Sequence, residues 1–530
     1  MTAKKKRNLK DKKQNDQGSA LNSIAVDRIL AWIFIGAVGL LPLLVRVKLI
    51  EFASPKIIHD LVDSGMKADI FSYYKWLFLL IVSITAISLL LFKIVAYRYE
   101  LRSSYLNIPL LVLASFTLFS GALSDFPGIS MIGMYNRHEG SLTYLCYFTL
   151  AFVALNTDFK KSIGRNILRA FYVLVSINLI IILFDFYGKD LLNSQIVRSV
   201  IVPSYLPHSG MQGHLNSTLS NPNYVSGFSA SLVAFFFSAA LLEARWVHRA
   251  ISSLCAVMAF AMLIASLSAS GFITLVVVIP LIFILSLPLS RKRVQSIFTG
   301  TSVLAACFLV LLTLNAHNPK VWEESIGALS NLSSSIDRQI SSSTTLKQLS
   351  YLVQPKPVEA APANSSAPQT EAAHQEKVND DFNLPKPSVA PLTGRVYIWE
   401  KTLDLIKQRP ILGYGHDTLT YYFPQNDREK IANLWDYEEI VTKPHNFYLD
   451  MAFSSGVPAL VALGVLIILH LYRTLKFLIG NAGSKLVSFS AGLFAFTCAF
   501  LIQWLVNDSV IGTSVVFWTL LGVSASINHD

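Results

Sequence analysis

The chain has 530 residues, of which 53% are apolar and 15% are charged, and its mean hydropathy is +0.48. This composition excludes a soluble globular protein, because apolar runs of about 18–22 residues recur at the length that crosses a bilayer. The net charge of +11 does not indicate a nucleic-acid partner. The basic residues lie in the N-terminal tail and in short loops on alternate sides of successive spans, which is the positive-inside pattern.

The apolar runs predict an all-α polytopic membrane protein with about twelve transmembrane helices and one large extracytoplasmic loop containing short amphipathic helices. Residues 1–28 form a basic tail, 29–315 a bundle of about nine helices, 316–445 the large loop and 446–530 about three more helices. The predicted spans are 29–45, 76–97, 105–124, 141–157, 167–187, 223–243, 250–267, 271–290, 297–315, 446–470, 487–507 and 510–526. With the tail inside, this count places both termini in the cytoplasm and the large loop outside.

Cysteine placement and loop composition add two expectations. All four cysteines lie inside apolar spans, and their spacing suits neither a metal site nor a disulfide framework, so they are expected to be core residues. Within the large loop, residues 355–391 are rich in Pro, Ala, Ser and Gln. Such a composition predicts a disordered insertion that either acts as a spacer or has no role.

After this insertion, the segment from Val396 to Arg409 has the period of an amphipathic helix that would lie along the outer membrane surface. Its predicted apolar stripe is Val396, Trp399, Leu403 and Ile406. Arg395 precedes this helix at a position where backbone N–H groups favour an anion, and its guanidinium presents a planar fork of donors that suits a diphosphate. The alternative is an interfacial arginine paired with Glu400 or with a lipid phosphate. The glycine-framed turn Gly413-Tyr414-Gly415 follows the helix and is a candidate substrate-binding segment.

His445 and Asn446 stand at the predicted start of the tenth span, after Lys443-Pro444. A histidine can take a proton from a hydroxyl at neutral pH, so His445 is a candidate general base, and Asn446 is a candidate substrate-binding residue beside it. The alternative is that His445 only caps an interfacial helix. Asp450 lies one turn further into the span, where ionisable residues usually mark a polar pathway.

Two other outer segments carry clustered polar side chains. Arg137 and Glu139 lie in a short loop before the fourth span, and Asn221 and Asn223 precede the sixth. These four residues are candidate substrate-binding residues on the same side of the membrane as His445. Both segments also suit ordinary turns, because Gly, Asn and Pro are the usual turn residues.

The segment from His445 resembles the O-antigen ligase and O-antigen polymerase (Wzy-type) family of bacterial membrane glycosyltransferases. His445-Asn446 is followed after nine residues by Gly456 and then by Ala459, which matches the family pattern in all but the last position. Residues 394–399 and 410–415 also resemble the large outer loop of the family, and so do the upstream segments 137–140 and 221–223. The resemblance covers about 213–470 and is strongest over 394–470.

The resemblance implies transfer of a glycan from a polyprenyl-diphosphate carrier to an acceptor hydroxyl, on the outer face and without a metal or other cofactor. It implies that His445 is the base and that Arg395 binds the diphosphate. The implied partners are the lipid bilayer, the carrier-linked glycan and a glycan, lipid or protein acceptor, at the bacterial cytoplasmic (inner) membrane. Many relatives carry a further arginine where this chain has Ser268-Ala269-Ser270-Gly271. Arg137 is a candidate substitute for it.

Several functions remain open at this point. A surface-polysaccharide polymerase is slightly favoured over an O-antigen-type ligase, and a protein O-oligosaccharyltransferase is a variant of the same chemistry. A transporter of a small anion or glycan is the alternative from another class. It would show matched broken helices at mid-membrane, whereas the polar clusters here crowd one face. A non-catalytic scaffold is the third reading, and it would tolerate loss of His445 and Arg395.

Overall fold

The computed structural model describes residues 23–59, 62–159, 162–206, 215–330, 394–434, 439–482 and 486–528. The insertion predicted at 355–391 and most of the basic tail lie outside these residues. The described part is mainly helical, as expected. The exception is one antiparallel hairpin of β1 (Lys48–Phe52) and β2 (Gly65–Asp69), paired from Lys48 with Asp69 to Phe52 with Gly65.

Eight of the described helices are long and apolar enough to cross a membrane. They are α1 (Ser23–Leu43), α2 (Tyr73–Tyr97), α6 (Ile163–Phe186), α8 (Pro222–Leu242), α9 (Trp246–Ala265), α10 (Ala269–Leu289), α11 (Arg293–His317) and α17 (Val457–Gly480). Four shorter apolar helices are α3 (Asn107–Ala122), α5 (Ser141–Leu155), α18 (Val487–Gln503) and α19 (Ile511–Ile527). A polytopic membrane protein is therefore confirmed, while a count of twelve spans stays a prediction.

Short helices connect or cover the long ones. They are α4 (Pro127–Ile132), α7 (Gln195–Ile201), α12 (Lys320–Trp322), α13 (Arg395–Gln408), α14 (Leu419–Tyr422), α15 (Glu429–Leu434) and α16 (Phe447–Ser455). The centre of the bundle is α8, whose side chains are buried from Val225 to Leu241. Many of these are Ser, Ala or Gly, and small residues let neighbouring membrane helices approach closely. Helix α8 packs against α9, α10 and α18, while α19 packs against α5.

The predicted tenth span, 446–470, is wrong as one continuous helix, because the chain breaks at Gly456 between α16 and α17. Gly456 has φ +86°, and a Cβ there would lie 2.0 Å from the carbonyl oxygen of Ile411. The segment that causes this crowding also satisfies the broken backbone. The N–H of Gly415 donates to Ser454 O at 2.9 Å, and that of Val457 donates to Pro410 O at 2.8 Å.

Helix α13 confirms the helix predicted over 396–409, but of the predicted apolar stripe only Ile406 is fully buried. The buried side chains are Tyr397, Ile398, Thr402 and Ile406, whereas Leu403 is 43% exposed. The Thr402 hydroxyl donates to Ile398 O at 2.7 Å, so this polar group can be buried without loss of a hydrogen bond. The helix packs against α16, within a cluster that contains Leu434 and Phe453. Part of its surface is therefore covered by the protein.

Candidate active site

Residues 442–447, here called the His445 loop, connect the C-terminal end of the large loop to α16. Each of these six residues has a specific contact. Thr442 Oγ1 accepts from Arg137 Nη1 at 2.9 Å, and Lys443 pairs with Asp450 at 2.8 Å. Pro444 O accepts from Trp399 Nε1 at 2.8 Å, and His445 pairs with Asp508 at 2.6 Å. Asn446 Oδ1 accepts from Leu449 N at 3.1 Å, and Phe447 N donates to Trp504 O at 2.8 Å. Four of the six contacts reach distant parts of the chain, and the other two reach α16. The loop is therefore fixed from several elements at once.

His445 lies outside the helix, because α16 begins at Phe447 and Asn446 is its N-cap. The alternative in which His445 caps the helix is therefore wrong. His445 has φ +51°, a left-handed backbone that costs a non-glycine residue about 1–3 kcal/mol and persists only when the surroundings enforce it. The contacts of the His445 loop supply that enforcement.

The imidazole of His445 is held by a buried carboxylate. Its Nδ1 lies 2.6 Å from Asp508 Oδ2, and the side chain of His445 is 43% exposed while that of Asp508 is 2% exposed. Burial acts to raise the pKa of Asp508, but His445, Lys443 and Arg137 outweigh it and lower the pKa below its ordinary value. Asp508 is therefore an acceptor at neutral pH, so Nδ1 carries the proton. The lone pair of Nε2 is left available to act as a base.

Arg395 is close enough to Asp508 for the charge of this carboxylate to act on its pKa. Burial lowers its pKa, and Asp508 and the Tyr224 hydroxyl act in the opposite direction. Within the described part of the chain, Arg395 has no hydrogen bond or ion pair, so the predicted alternative of a Glu400 pair is not formed there. Asp508 thus contacts His445 directly and acts on Arg395 through its charge. A partly buried guanidinium with no partner among the described residues is well suited to an anionic ligand.

A chain of buried ion pairs underlies the His445 loop. Arg137 Nη2 lies 2.9 Å from Asp417 Oδ1, and Lys443 Nζ lies 3.5 Å from that atom and 2.8 Å from Asp450 Oδ2. Burial acts to raise the pKa of Asp417, but Arg137 and Lys443 hold it at about 2. Asp450, expected to mark a polar pathway, is instead the partner of Lys443. Much of the Arg137 guanidinium is occupied by Asp417 and Thr442, and its contact with substrate stays a prediction.

Glu139 is close to the same network but is fully buried. Its Oε1 accepts a hydrogen bond from the Tyr147 hydroxyl at 2.8 Å. Burial raises the pKa of Glu139 to about 7, against the attraction of Lys443 and hydrogen bonds from Ser509 and Tyr147. Direct contact between Glu139 and a substrate would require the site to open, and it stays a prediction.

Asn221 and Asn223 organise the start of α8. Asn221 is the exposed N-cap, and its side chain accepts from Asn223 N at 2.9 Å. Asn223 Oδ1 accepts from Ser268 Oγ at 2.6 Å, which ties α8 to the start of α10. The next residue, Tyr224, is near Arg395 and Arg137. The two asparagines therefore border the site, and their contact with substrate stays a prediction.

Gly413, Tyr414 and Gly415 support the break between α16 and α17. The N–H of Tyr414 donates to Phe453 O at 2.9 Å, and its ring stacks on that of Phe453 with 4.8 Å between centroids. The Tyr414 hydroxyl donates to Leu405 O at 3.1 Å. These contacts show that the turn packs against α16. Substrate binding by the three residues stays a prediction.

Sequence reasoning missed Asp508, Asp417 and the role of Lys443. Asp508 stands in the three-residue polar turn Asn507-Asp508-Ser509 between two apolar helices, and such an isolated carboxylate was a usable signal. Asp417 closely follows the glycine-framed turn, but nothing in its local sequence indicates burial or pairing with Arg137. That pairing joins positions 280 residues apart, and only the fold shows it.

Two comparisons with known proteins agree with the resemblance predicted from sequence. Residues 254–464 match the family model described as O-Antigen ligase. A stretch of 134 residues is 24% identical to the exopolysaccharide production protein ExoQ of Rhizobium meliloti (strain 1021). This stretch covers 24% of the present chain and 30% of that protein's length. Both comparisons confirm the resemblance that the sequence predicted.

Proposed function

We propose that the protein transfers a glycan from a polyprenyl-diphosphate carrier to an acceptor hydroxyl, because residues 254–464 match the family model described as O-Antigen ligase. The observation that carries the proposal is the 2.6 Å contact between Nδ1 of the half-exposed His445 and the buried Asp508, near Arg395, which has no partner among the described residues. A base and an anion-binding group at one carboxylate are what such a transfer needs.

In the proposed step, the acceptor oxygen attacks the anomeric carbon of the donor sugar. The bond from that carbon to the diphosphate oxygen breaks, and its electron pair leaves with the polyprenyl diphosphate. The hydroxyl proton passes to Nε2 of His445, and Asp508 stabilises the imidazolium that forms. Since the His445 side chain is 43% exposed, it returns this proton to water. A single displacement of this kind inverts the configuration of the anomeric carbon.

Arg395 is assigned to the diphosphate, where negative charge builds as the bond breaks. A preorganised cation in a partly buried site stabilises such charge far more than one in water. Arg137 is the candidate for a second contact. It replaces the arginine that many relatives carry at 268–271, where this chain instead ties α10 to α8 through Ser226 and Gly271. The proposed step assigns no role to a metal ion.

The distribution of basic residues supports an outer-face reaction at the bacterial inner membrane. Helices α8 and α10 both begin at the end of the bundle that holds the site. At their other ends the chain carries Arg245 and Arg249 after α8, and 291–293 (Arg-Lys-Arg) after α10. Cytoplasmic loops are the ones enriched in Lys and Arg. We therefore place the site and the large loop outside, and both termini in the cytoplasm.

The surface glycan ladder tests this function. A strain that lacks the gene is complemented with the wild type, His445→Ala, Arg395→Ala and a matched control, His317→Ala, at equal membrane levels. His317 is an exposed histidine whose contacts among the described residues are the rings of Phe186 and Tyr187. We expect only wild type and control to restore the ladder.

The kind of defect identifies the acceptor. Short units that remain attached to their acceptor indicate a polymerase, which the sequence slightly favours, and long chains that accumulate on the lipid carrier indicate a ligase. Loss of glycan from a protein indicates an O-oligosaccharyltransferase. A wild-type ladder from both His445→Ala and Arg395→Ala would overturn the catalytic assignment.

A further inference from the structure

Lys443 is a buried cation two residues before His445. It is 1% exposed, and its ammonium lies 2.8 Å from Asp450 Oδ2 and 3.5 Å from Asp417 Oδ1. Asp450 belongs to α16, and Asp417 belongs to the segment before α14. The side chain therefore links the His445 loop to two separate elements. Its burial keeps it out of reach of a substrate.

The backbone around Lys443 needs such a link. His445 and Asp417 have φ of +51° and +62°, which non-glycine residues rarely adopt. Asp417 is itself fixed by Arg137 and by the N–H of Met134, which donates to its Oδ2 at 2.7 Å. Lys443 thus ties the His445 loop to an anchored carboxylate, and a loss of this tie would let the imidazole turn away from Asp508.

We propose that Lys443 is a positioning residue for the transfer, whose ion pairs with Asp417 and Asp450 hold His445 in hydrogen-bonding geometry with Asp508. The inference rests on the proposed function, in which His445 is the base. Lys443 touches neither substrate nor the reacting atoms in this account. Its effect on the reaction passes through the orientation of His445 and through the charge of Asp508, whose pKa it helps to lower, so it should appear in kcat and leave KM nearly unchanged.

A charge-balanced double variant separates positioning from stability. Lys443→Met alone leaves a buried carboxylate without its cation, which is strongly destabilising, whereas removal of both charges of a buried pair is often tolerated. We therefore compare Lys443→Met/Asp450→Asn with wild type. The matched control is Lys93→Met/Asp27→Asn, because Lys93 and Asp27 form another buried pair with the same 2.8 Å distance. Each protein is purified in detergent, and its melting temperature, kcat and KM are measured with carrier-linked glycan extracted from the deletion strain.

The two double variants should differ in kcat. We expect both to fold, with kcat of Lys443→Met/Asp450→Asn at least about tenfold below wild type and KM unchanged, while the control keeps the wild-type kcat. A wild-type kcat in Lys443→Met/Asp450→Asn would show that Lys443 only stabilises the fold. It would overturn the inference.

Two further variants complete the test. If the double variant does not fold, Lys443→Arg keeps the charge but changes its position, so a folded protein with reduced kcat supports positioning and one with wild-type kcat contradicts it. His445→Ala is assayed in parallel. If His445→Ala is inactive and the Lys443 variants are fully active, only the positioning role fails. If His445→Ala is fully active, the proposed function itself fails.

Discussion

Two buried lysine–aspartate pairs lie at opposite ends of the bundle, and they differ in what surrounds them. Lys443 and Asp450 are 2.8 Å apart beneath the His445 loop, and Lys93 and Asp27 are 2.8 Å apart at the other end. Helix α5 connects the two regions, because Glu139 precedes it and Asn156 follows it. The distance and the burial of the pairs are nearly the same.

The contacts around the Lys93–Asp27 pair indicate a structural role. The ammonium of Lys93 lies 3.6 Å from the centre of the Tyr99 ring and 3.4 Å from Asn156 O. Nearby, Arg102 pairs with Asp158 and donates to Ser526 Oγ at 2.7 Å. These contacts join α1, α2, α5 and α19, and each charged group named here has a partner.

The network that contains Lys443 leads instead to a half-exposed histidine and to an arginine with no partner among the described residues. The comparison teaches that a buried ion pair alone does not indicate a catalytic site. An accessible base together with an unpaired cation distinguishes the end of the bundle that carries chemistry.

The largest effect on activity in this comparison is expected from Asp508→Asn. The amide cannot enforce the tautomer in which Nδ1 is protonated and Nε2 is free, so kcat should fall about 10²-fold or more. Turnover of the carrier-linked glycan measures it. The corresponding change in the other network, Asp158→Asn, should leave kcat of the folded protein unchanged. Equal kcat values for wild type and Asp508→Asn would show that the network around His445 is no more important for catalysis than the network around Lys93.

The next effect concerns stability and should appear at both ends. Asp417→Asn leaves Arg137 and Lys443 without their shared carboxylate, and Asp27→Asn leaves Lys93 without its nearest one. Loss of one partner of a buried pair typically lowers the free energy of unfolding by about 3–5 kcal/mol. Denaturant unfolding in detergent checks both variants. Only Asp417→Asn should also lower kcat of the protein that remains folded, and a similar loss in Asp27→Asn would count against the comparison.

A smaller, pH-dependent effect is expected at Glu139. Burial raises its pKa from the ordinary 4.5 to about 7, so the folded state binds a proton more tightly than the unfolded state. This contribution to stability is complete below about pH 4.5 and is lost as the pH rises through about 7. Glu139→Gln lacks this loss. Its melting temperature relative to wild type should rise over that window and then level off, and a constant difference would contradict the assigned pKa.

The smallest effect is expected at Lys407 and Asp404 on α13. These side chains are also 2.8 Å apart, but they are 74% and 62% exposed. Water and salt screen such a pair, so Lys407→Ala should change neither the melting temperature nor kcat measurably. A clear loss of stability would show that the contribution of an ion pair to the stability of this protein depends on its distance and not on its burial.

The sequence was sufficient for features that are local along the chain. Apolar runs predicted the membrane helices, and the helical period of 396–409 predicted α13. The His445-Asn446 pattern predicted the resemblance that the family model then matched. The burial of Thr402 was missed because its hydroxyl bonds within its own helix, and the break at Gly456 was missed because its cause is the distant segment 410–415.

The residues that contact His445 and Arg137 could not be predicted from the local sequence for the same reason. His445 meets Asp508 across 63 residues, and Arg137 meets Asp417 across 280. Contacts of this kind depend on how the ends of α5, α16 and α18 meet. The candidate residues His445 and Arg395 could therefore be named from sequence, whereas the carboxylate that joins them could not.

The most direct test is release of polyprenyl diphosphate from the carrier-linked glycan by purified protein in the presence of acceptor. The account predicts that wild type and His317→Ala release it in step with formation of the new glycan bond. His445→Ala and Arg395→Ala should release it at least about 10²-fold more slowly while keeping wild-type melting temperatures. Release at the wild-type rate by both variants, or none by the folded wild type, would contradict the assignment of His445 and Arg395 to glycosyl transfer.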